Sequence, residues 1–290
     1  MQVLADGLVA GAIYALVALG FSIRFQAART FDFSYAAVIT LAAYTAGRYF
    51  DYVFANPACT VVLACVVAGT FGALLDVVVF RPLRRSGARE LVTLLASLGA
   101  MVAIVNAISI AFGDRPEIIG TVIRTNSVAV GPVQITVLQF VTIALAFVAG
   151  TICWHVYQRT RWGLIMRALA DDETLARSFG VRRERSILQA TILGSALGGL
   201  AAILSAFDTG LFPLLGFQLL LPGVVASVVG GIGRPGGAFL AGIAIGVIQQ
   251  AAGWFTSTGW QDPILFAILL AFLLFRPQGL FGTPLRRTIV

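Results

Sequence analysis

The chain is written in long apolar runs, with neither the strict alternation of a half-buried strand nor the half-polar stripe of a surface helix. Nine such runs lie at about residues 3–23, 31–49, 57–80, 91–112, 133–157, 187–207, 217–232, 237–254 and 263–275. At 1.5 Å per residue, a run near twenty residues long matches a hydrocarbon core of about 30 Å. In lipid the backbone has to satisfy its own hydrogen bonds, and unalternated runs do so as helices rather than as barrel strands. The pattern predicts an all-α, polytopic integral membrane protein with about eight to nine transmembrane helices; if the count is eight, one run is a half-span or re-entrant piece. No soluble domain interrupts the runs, so residues 1–290 read as a single transmembrane domain.

Charge then orients the runs. Only 11% of residues are charged, mean hydropathy is +0.93, and the net charge of +7 comes entirely from arginine, since the chain has no lysine. A basic balance can signal nucleic acid, but in a membrane chain it follows from the collection of arginine in cytoplasmic loops, and no nucleic-acid partner is expected. Arg81, Arg84, Arg85 and Arg89 mark one loop, Arg159 to Arg185 a second, Arg234 a third, and Arg276, Arg286 and Arg287 the tail. Consecutive crossings put all of these on one face. The other face receives Asp51, Asp114, Glu117, Asp208 and Asp262, with only Arg48, Arg115 and Arg124 among the bases. This arrangement needs nine crossings and an outward N-terminus, which Arg24 and Arg29 just after the first run also favour. That run is too long, and lacks the preceding basic residues, for a cleavable signal peptide. Without lysine there is no Walker A loop and no Schiff-base chemistry, so any ATP used must be bound by another chain.

Polar residues inside the runs are costly unless they face protein or water, which makes Asp32, Asp76, Asn106, Gln249 and Gln250 candidates for a substrate path. Asp76, about a turn from Arg81, is expected to pair with it near the interface. No catalytic or metal constellation emerges: His155 is the only histidine, and Cys59, Cys65 and Cys153 read as three buried thiols without a disulfide. Trp154, Tyr157 and Trp162, then Trp254 and Trp260, read as interfacial anchors. "GGIGRPGG" contains a formal G-x-G-x-x-G at Gly231, Gly233 and Gly236, yet no strand precedes it and no acid lies between Asp208 and Asp262. A tight turn through Gly230, Gly231, Gly233 and Gly237 is the better reading. Beyond it, Ala238, Gly242 and Gly246 recur every four residues and make one side of a helix smooth enough for close packing.

One stretch departs from all this. Met166 to Arg185 holds nine of the thirty-three charged residues. Within it, Asp171 or Asp172 can cap a short helix, Glu173 and Arg177 suit its dipole, and Gly180 can stop it in the left-handed conformation. Leu175 and Phe179, one turn apart, form an apolar ridge. So short a helix is unstable alone and must pack on its own protein or on a partner; a solvated loop is the plain alternative.

Several ordered motifs make the chain resemble the branched-chain amino acid permease family (LivH type) of bacterial ABC importers along almost its whole length. Gly7, Gly11, Ile13, Tyr14, Ala15, Leu16, Ala18, Leu19 and Gly20 match G-x-x-x-G-x-I-Y-A-L-x-A-L-G, and Arg81 and Pro82 match an Arg-Pro after the third run. Ala170, Asp172, Ala176 and Gly180 fit M-R-A-x-A-x-D-x-x-x-A-x-x-x-G. Gly230, Gly231, Ile232, Gly233, Gly237 and Ala238 fit G-G-I-G-x-x-x-G-A, and Pro277, Gly279 and Gly282 fit P-x-G-x-x-G.

The resemblance implies a permease subunit in a bacterial inner membrane, working with a second permease subunit, two cytosolic ABC ATPases and a periplasmic substrate-binding protein. It implies no cofactor of its own, ATP being bound by the ATPases. Residues 158–186 become a cytoplasmic loop whose Ala170, Asp171, Asp172, Leu175, Ala176, Phe179 and Gly180 meet an ATPase, and Tyr14, Asp32, Phe33, Tyr35 and Asn106 become the expected path. Branched-chain or other hydrophobic amino acids are the implied cargo, with urea or short amides as the nearest alternative. A gradient-driven transporter using Asp32 or Asp76 is the further rival. Where the family reads N-F-A-H-G-E, this chain has Asp32, Phe33, Ser34, Tyr35, Ala36 and Ala37, so leucine-type specificity does not follow automatically.

Overall fold

The computed structural model describes residues 2–52, 56–119, 127–130, 133–255, 258–276 and 278–281. Arg124, Pro277, Gly282, Arg286 and Arg287 lie outside them. Each of the nine apolar runs is helical: α1 (Gln2–Ala28), α2 (Ser34–Tyr52), α3 (Pro57–Leu75), α5 (Glu90–Phe112), α6 (Val137–Arg159), α9 (Arg183–Thr209), α10 (Leu215–Gly230), α11 (Pro235–Phe255) and α12 (Gln261–Phe275). A π-helical turn, Asp76–Phe80, joins α3 to α4 (Arg81–Arg85), and α7 (Arg161–Asp171) and α8 (Glu173–Ser178) fill the charged stretch. Six of these helices, the π-joined Pro57–Arg85 counted as one, are long and apolar enough to cross a membrane, and α10 and α12 are shorter apolar helices.

The fifth run begins differently from expectation. Val133–Thr136 is a strand (β2) pairing antiparallel with Ser127–Val130 (β1), and α6 starts only at Val137, where Thr136 and Gln139 form a capping box. Among the described residues this small hairpin departs from the all-helical expectation.

Contacts between helix ends show the direction of each crossing. Gln26 on α1 donates to the Tyr157 hydroxyl on α6 at 2.6 Å, Arg29 donates to the Ala170 carbonyl on α7, and Arg84 on α4 pairs with Glu184 on α9 at 3.0 Å. The Leu280 amide after α12 donates to the Val229 carbonyl on α10 at 2.8 Å. These ends gather with the arginine clusters. At the opposite end Arg48 in the last turns of α2 pairs with Glu117 at 2.9 Å, Glu117 bridges Leu211 after α9, and Gln249 on α11 reaches Asp262 on α12 at 3.4 Å. The nine helices thus alternate in direction, and the chain starts at the end away from the arginines.

α1 is the centre. Apolar all round, as a helix surrounded by others should be, it packs against α11, α9, α10 and α6. Its closest neighbour is α11, where Gly7, Gly11 and Ala15 face Gly242 and Gly246. A Cβ on Gly11 would stand 2.7 Å from the Ile243 carbonyl oxygen, so backbone meets backbone. Large side chains fill the space farther out, with Tyr35, Tyr44 and Phe207 fully buried between α2, α9 and their neighbours. α5, α6 and α12 keep apolar outer faces, among them Leu95, Phe140, Phe266 and Leu270, which suit lipid rather than water.

Candidate functional site

Two places carry the polar chemistry, one at each end of the bundle. At the arginine-rich end α7 runs to Asp171, and Asp172 then caps α8, its carboxylate accepting from the Leu175 amide at 2.9 Å. Of the two aspartates the sequence offered as cap, Asp172 takes the role. Arg183 at the start of α9 pairs with Glu173 at 3.1 Å. The helix closes in a Schellman motif: Val181 N–H donates to the Ala176 carbonyl and Gly180 N–H to that of Arg177. Gly180 sits at φ 84°, a backbone conformation that costs an L side chain roughly 1–2 kcal/mol. Ala176 is buried and fixes the helix to its own protein, but Leu175 is 56% and Phe179 82% exposed. Ala170, near the end of α7, is partly buried, and its carbonyl accepts from Arg29. A capped, stopped, six-residue helix therefore presents an unpaired apolar ridge.

Behind it lies an ionic core. Asp76, only 3% exposed, accepts from two nitrogens of Arg84 at 2.8 and 3.2 Å, and the same guanidinium reaches Glu184. The expected partner Arg81 instead turns to Glu184, 3.8 Å away, because the π turn sets Arg84 back beneath Asp76. Alongside, buried Arg24 pairs with Asp32, donates to the Ser195 hydroxyl at 2.6 Å and stacks over the Tyr35 ring at 4.9 Å. Asp32 also accepts from the amide and hydroxyl of Ser34. Both intramembrane aspartates thus serve arginines, which leaves neither poised as the free carboxylate a proton- or cation-coupled carrier requires.

At the opposite end a cavity of about 350 Å³ opens between α1, α6, α9, α10 and α11. Asp6, Tyr14, Gln139, Asp208, Gln218 and Gln250 supply its polar groups, and Val9, Ile13 and Leu219 its apolar ones. This volume is at the lower end of small-molecule sites.

The expected path residues are not brought together. Tyr14 lines this cavity, as does Gln250, whereas Asp32 belongs to the ionic core. Phe33 donates its amide to Ser97, and Tyr35 is enclosed with its hydroxyl near the Val17 and Gly194 carbonyls. Asn106 lies on the exposed side of α5 and donates to the Val102 carbonyl one turn back. Asp208 was read in the sequence only as a charge of the outer face, and Gln139 and Gln218, near the starts of their runs, were passed over because a polar residue there looks like a helix end.

Other expectations need correction. Only Cys153 is buried; Cys65 is partly so and Cys59 is exposed near the start of α3. Tyr157 is buried under Gln26 and Trp162 packs on the core, so of the five expected anchors Trp154, Trp254 and Trp260 are the exposed ones. Gly230, Gly231, Gly233 and Gly237 form the α10–α11 turn, with Gly231 and Gly233 at positive φ.

Against known proteins, residues 3–273 match the family described as "Branched-chain amino acid transport system / permease component". The chain is 27% identical to the high-affinity branched-chain amino acid transport system permease protein BraD of Pseudomonas aeruginosa, over 98% of this chain and 96% of that protein. It is 26% identical, over the same shares, to the corresponding LivH of Escherichia coli K12. It is 21% identical to a probable LivH of Methanocaldococcus jannaschii, over 99% of this chain and 94% of that one. With a family match spanning nearly all nine helices of a multi-pass membrane bundle, the chain belongs to the permease components of branched-chain amino acid transport systems.

Proposed function

We propose that this chain is the membrane-spanning permease subunit of a bacterial inner-membrane ABC importer, passing branched-chain or other hydrophobic amino acids handed over by a periplasmic binding protein. The arginine-rich end is cytoplasmic by the positive-inside rule, and the cavity lined by Tyr14 and Gln250 is the outward mouth of the path. Two cytosolic ATPases and a second permease subunit complete the machine. The observation that carries the reading is the exposed Leu175–Phe179 ridge on α8. Hydrophobic side chains on a helix held this rigidly, at the polar end of a membrane bundle, call for a protein groove. Metal and nucleotide play no part within this chain on this reading, ATP being held by the partners.

The cargo follows from the mouth. Carboxylates of Asp6 and Asp208 suit an ammonium, and Val9, Ile13 and Leu219 suit an aliphatic side chain. The test is uptake into vesicles holding the reconstituted complex, with binding protein loaded in turn with leucine, isoleucine, valine, phenylalanine, urea or acetamide. Aliphatic amino acids should accumulate only with ATP inside; uptake at full speed without the ATPases, or of urea alone, overturns the reading. Gly180→Ile should abolish this uptake while membrane insertion and the amount of folded chain stay unchanged.

A further inference from the structure

A further space, larger than the outward cavity, belongs to neither of these sites. A slot of about 590 Å³ opens at the arginine-rich end between α6 and α11, backed by Leu19 of α1 and closed below by Phe281. Its walls differ with depth. Along α6 it runs from Gly150 to Gln158, about 12 Å of helix, with Trp154, Phe239 and Leu240 forming apolar sides. At its polar end stand Arg167, Arg234 and Gln158.

These two arginines differ from those of the ionic pairs. Arg24, Arg48, Arg81, Arg84, Arg177 and Arg183 each have a carboxylate partner. Arg167 has only the Tyr157 carbonyl at 2.6 Å, the Gln158 side-chain oxygen at 3.3 Å and the face of the Tyr157 ring; Arg234 has only the Phe281 carbonyl. Each spends one terminal nitrogen on these bonds and keeps its remaining N–H donors without a protein acceptor among the described residues. Among the described residues no carboxylate lines the slot. Two cations at interfacial depth above a hydrocarbon groove, with a half-exposed tryptophan on its wall, complement an anion that carries an acyl chain.

We propose that this slot binds an acidic phospholipid, its phosphate between Arg167 and Arg234 and an acyl chain against Trp154, Phe239 and Leu19. The lipid would wedge α6 to the α10–α11 turn. A zwitterionic lipid brings its own ammonium to the same place and gains little from the arginines. The inference stands apart from the cargo and from ATP, and is read without either.

The test uses the intact complex in nanodiscs of phosphatidylcholine containing a small fraction of phosphatidylglycerol, with one or the other lipid brominated in its acyl chains. Quenching that disappears in W154F reports the slot. Two interfacial arginines should give a preference of about 30-fold for the brominated acidic lipid, falling to about fivefold in R167Q or R234Q and to parity in R167Q/R234Q. R167K/R234K, which keeps both charges, should retain most of it. Equal quenching by the two lipids, or selectivity that survives R167Q/R234Q, overturns the proposal. Absence of any Trp154-dependent quenching overturns it too, since protein rather than lipid then fills the slot.

Discussion

At the arginine-rich end of the bundle, Arg84 closes on Asp76 and Glu184 while Arg24 closes on Asp32 and Ser195, all buried or nearly so except the partly exposed Glu184. At the other end the corresponding cation, Arg48, shares a partly exposed pair with Glu117 over the ring of Phe112, and a cavity is left between α1, α9, α10 and α11. One end is tied by desolvated charge and the other is kept open to water. Buried ion pairs are poor sources of net stability, but they hold a geometry tightly, since a lone buried charge is so costly. The tied end is also the one from which the α8 ridge projects, and ion pairs join α8 to α9 through Glu173–Arg183 and α9 to the π turn through Glu184–Arg84–Asp76.

Substitutions can break this contrast. Arg84→Ala strands Asp76 in an apolar surround and should destabilise the chain by about 3–5 kcal/mol, seen as a large drop in thermal unfolding temperature in detergent. A loss below that of an exposed pair would mean that water reaches the core. Gly246→Leu drives a side chain into the α1 backbone between the two ends and should cost about 1–3 kcal/mol by the same measurement. Arg48→Ala, at the open end, should cost no more than about 1 kcal/mol. If Arg48→Ala and Arg84→Ala proved equally damaging, the distinction between a tied and an open end would fall.

Much of the bundle was legible because its signal is local. Each of the nine runs became a helix, since a stretch of apolar residues near bilayer length has few other ways to satisfy its backbone. The α8 motif was equally legible: a cap, a ridge and a glycine stop are written within ten residues. Pairings across the chain were not. That Gly242 and Gly246 offer a smooth face is visible in their spacing, but that Gly7, Gly11 and Ala15 are what meets it depends on the whole packing. Asp76 was assigned to Arg81 by simple helical counting, which the π turn defeats. Asp32 looked like a path residue because nothing nearby in sequence revealed that Arg24, eight positions earlier, folds back beside it. Val133 to Thr136 was read as helix because a strand of four apolar and polar residues running into a helix leaves no break in composition.

The π turn at Asp76–Phe80, where the Arg81 amide bonds five residues back to the Asp76 carbonyl, makes the helix from Pro57 to Arg85 two segments out of phase by one residue. At about 100° per residue, a regular helix would set Arg84, eight residues on, about 80° off the face that Asp76 occupies, and the one residue that the π turn absorbs brings it back to within about 20°. Winding there matters more than which aliphatic residue is present: exchange among aliphatic residues keeps the guanidinium under Asp76, and straightening the π turn at this chain length takes it away.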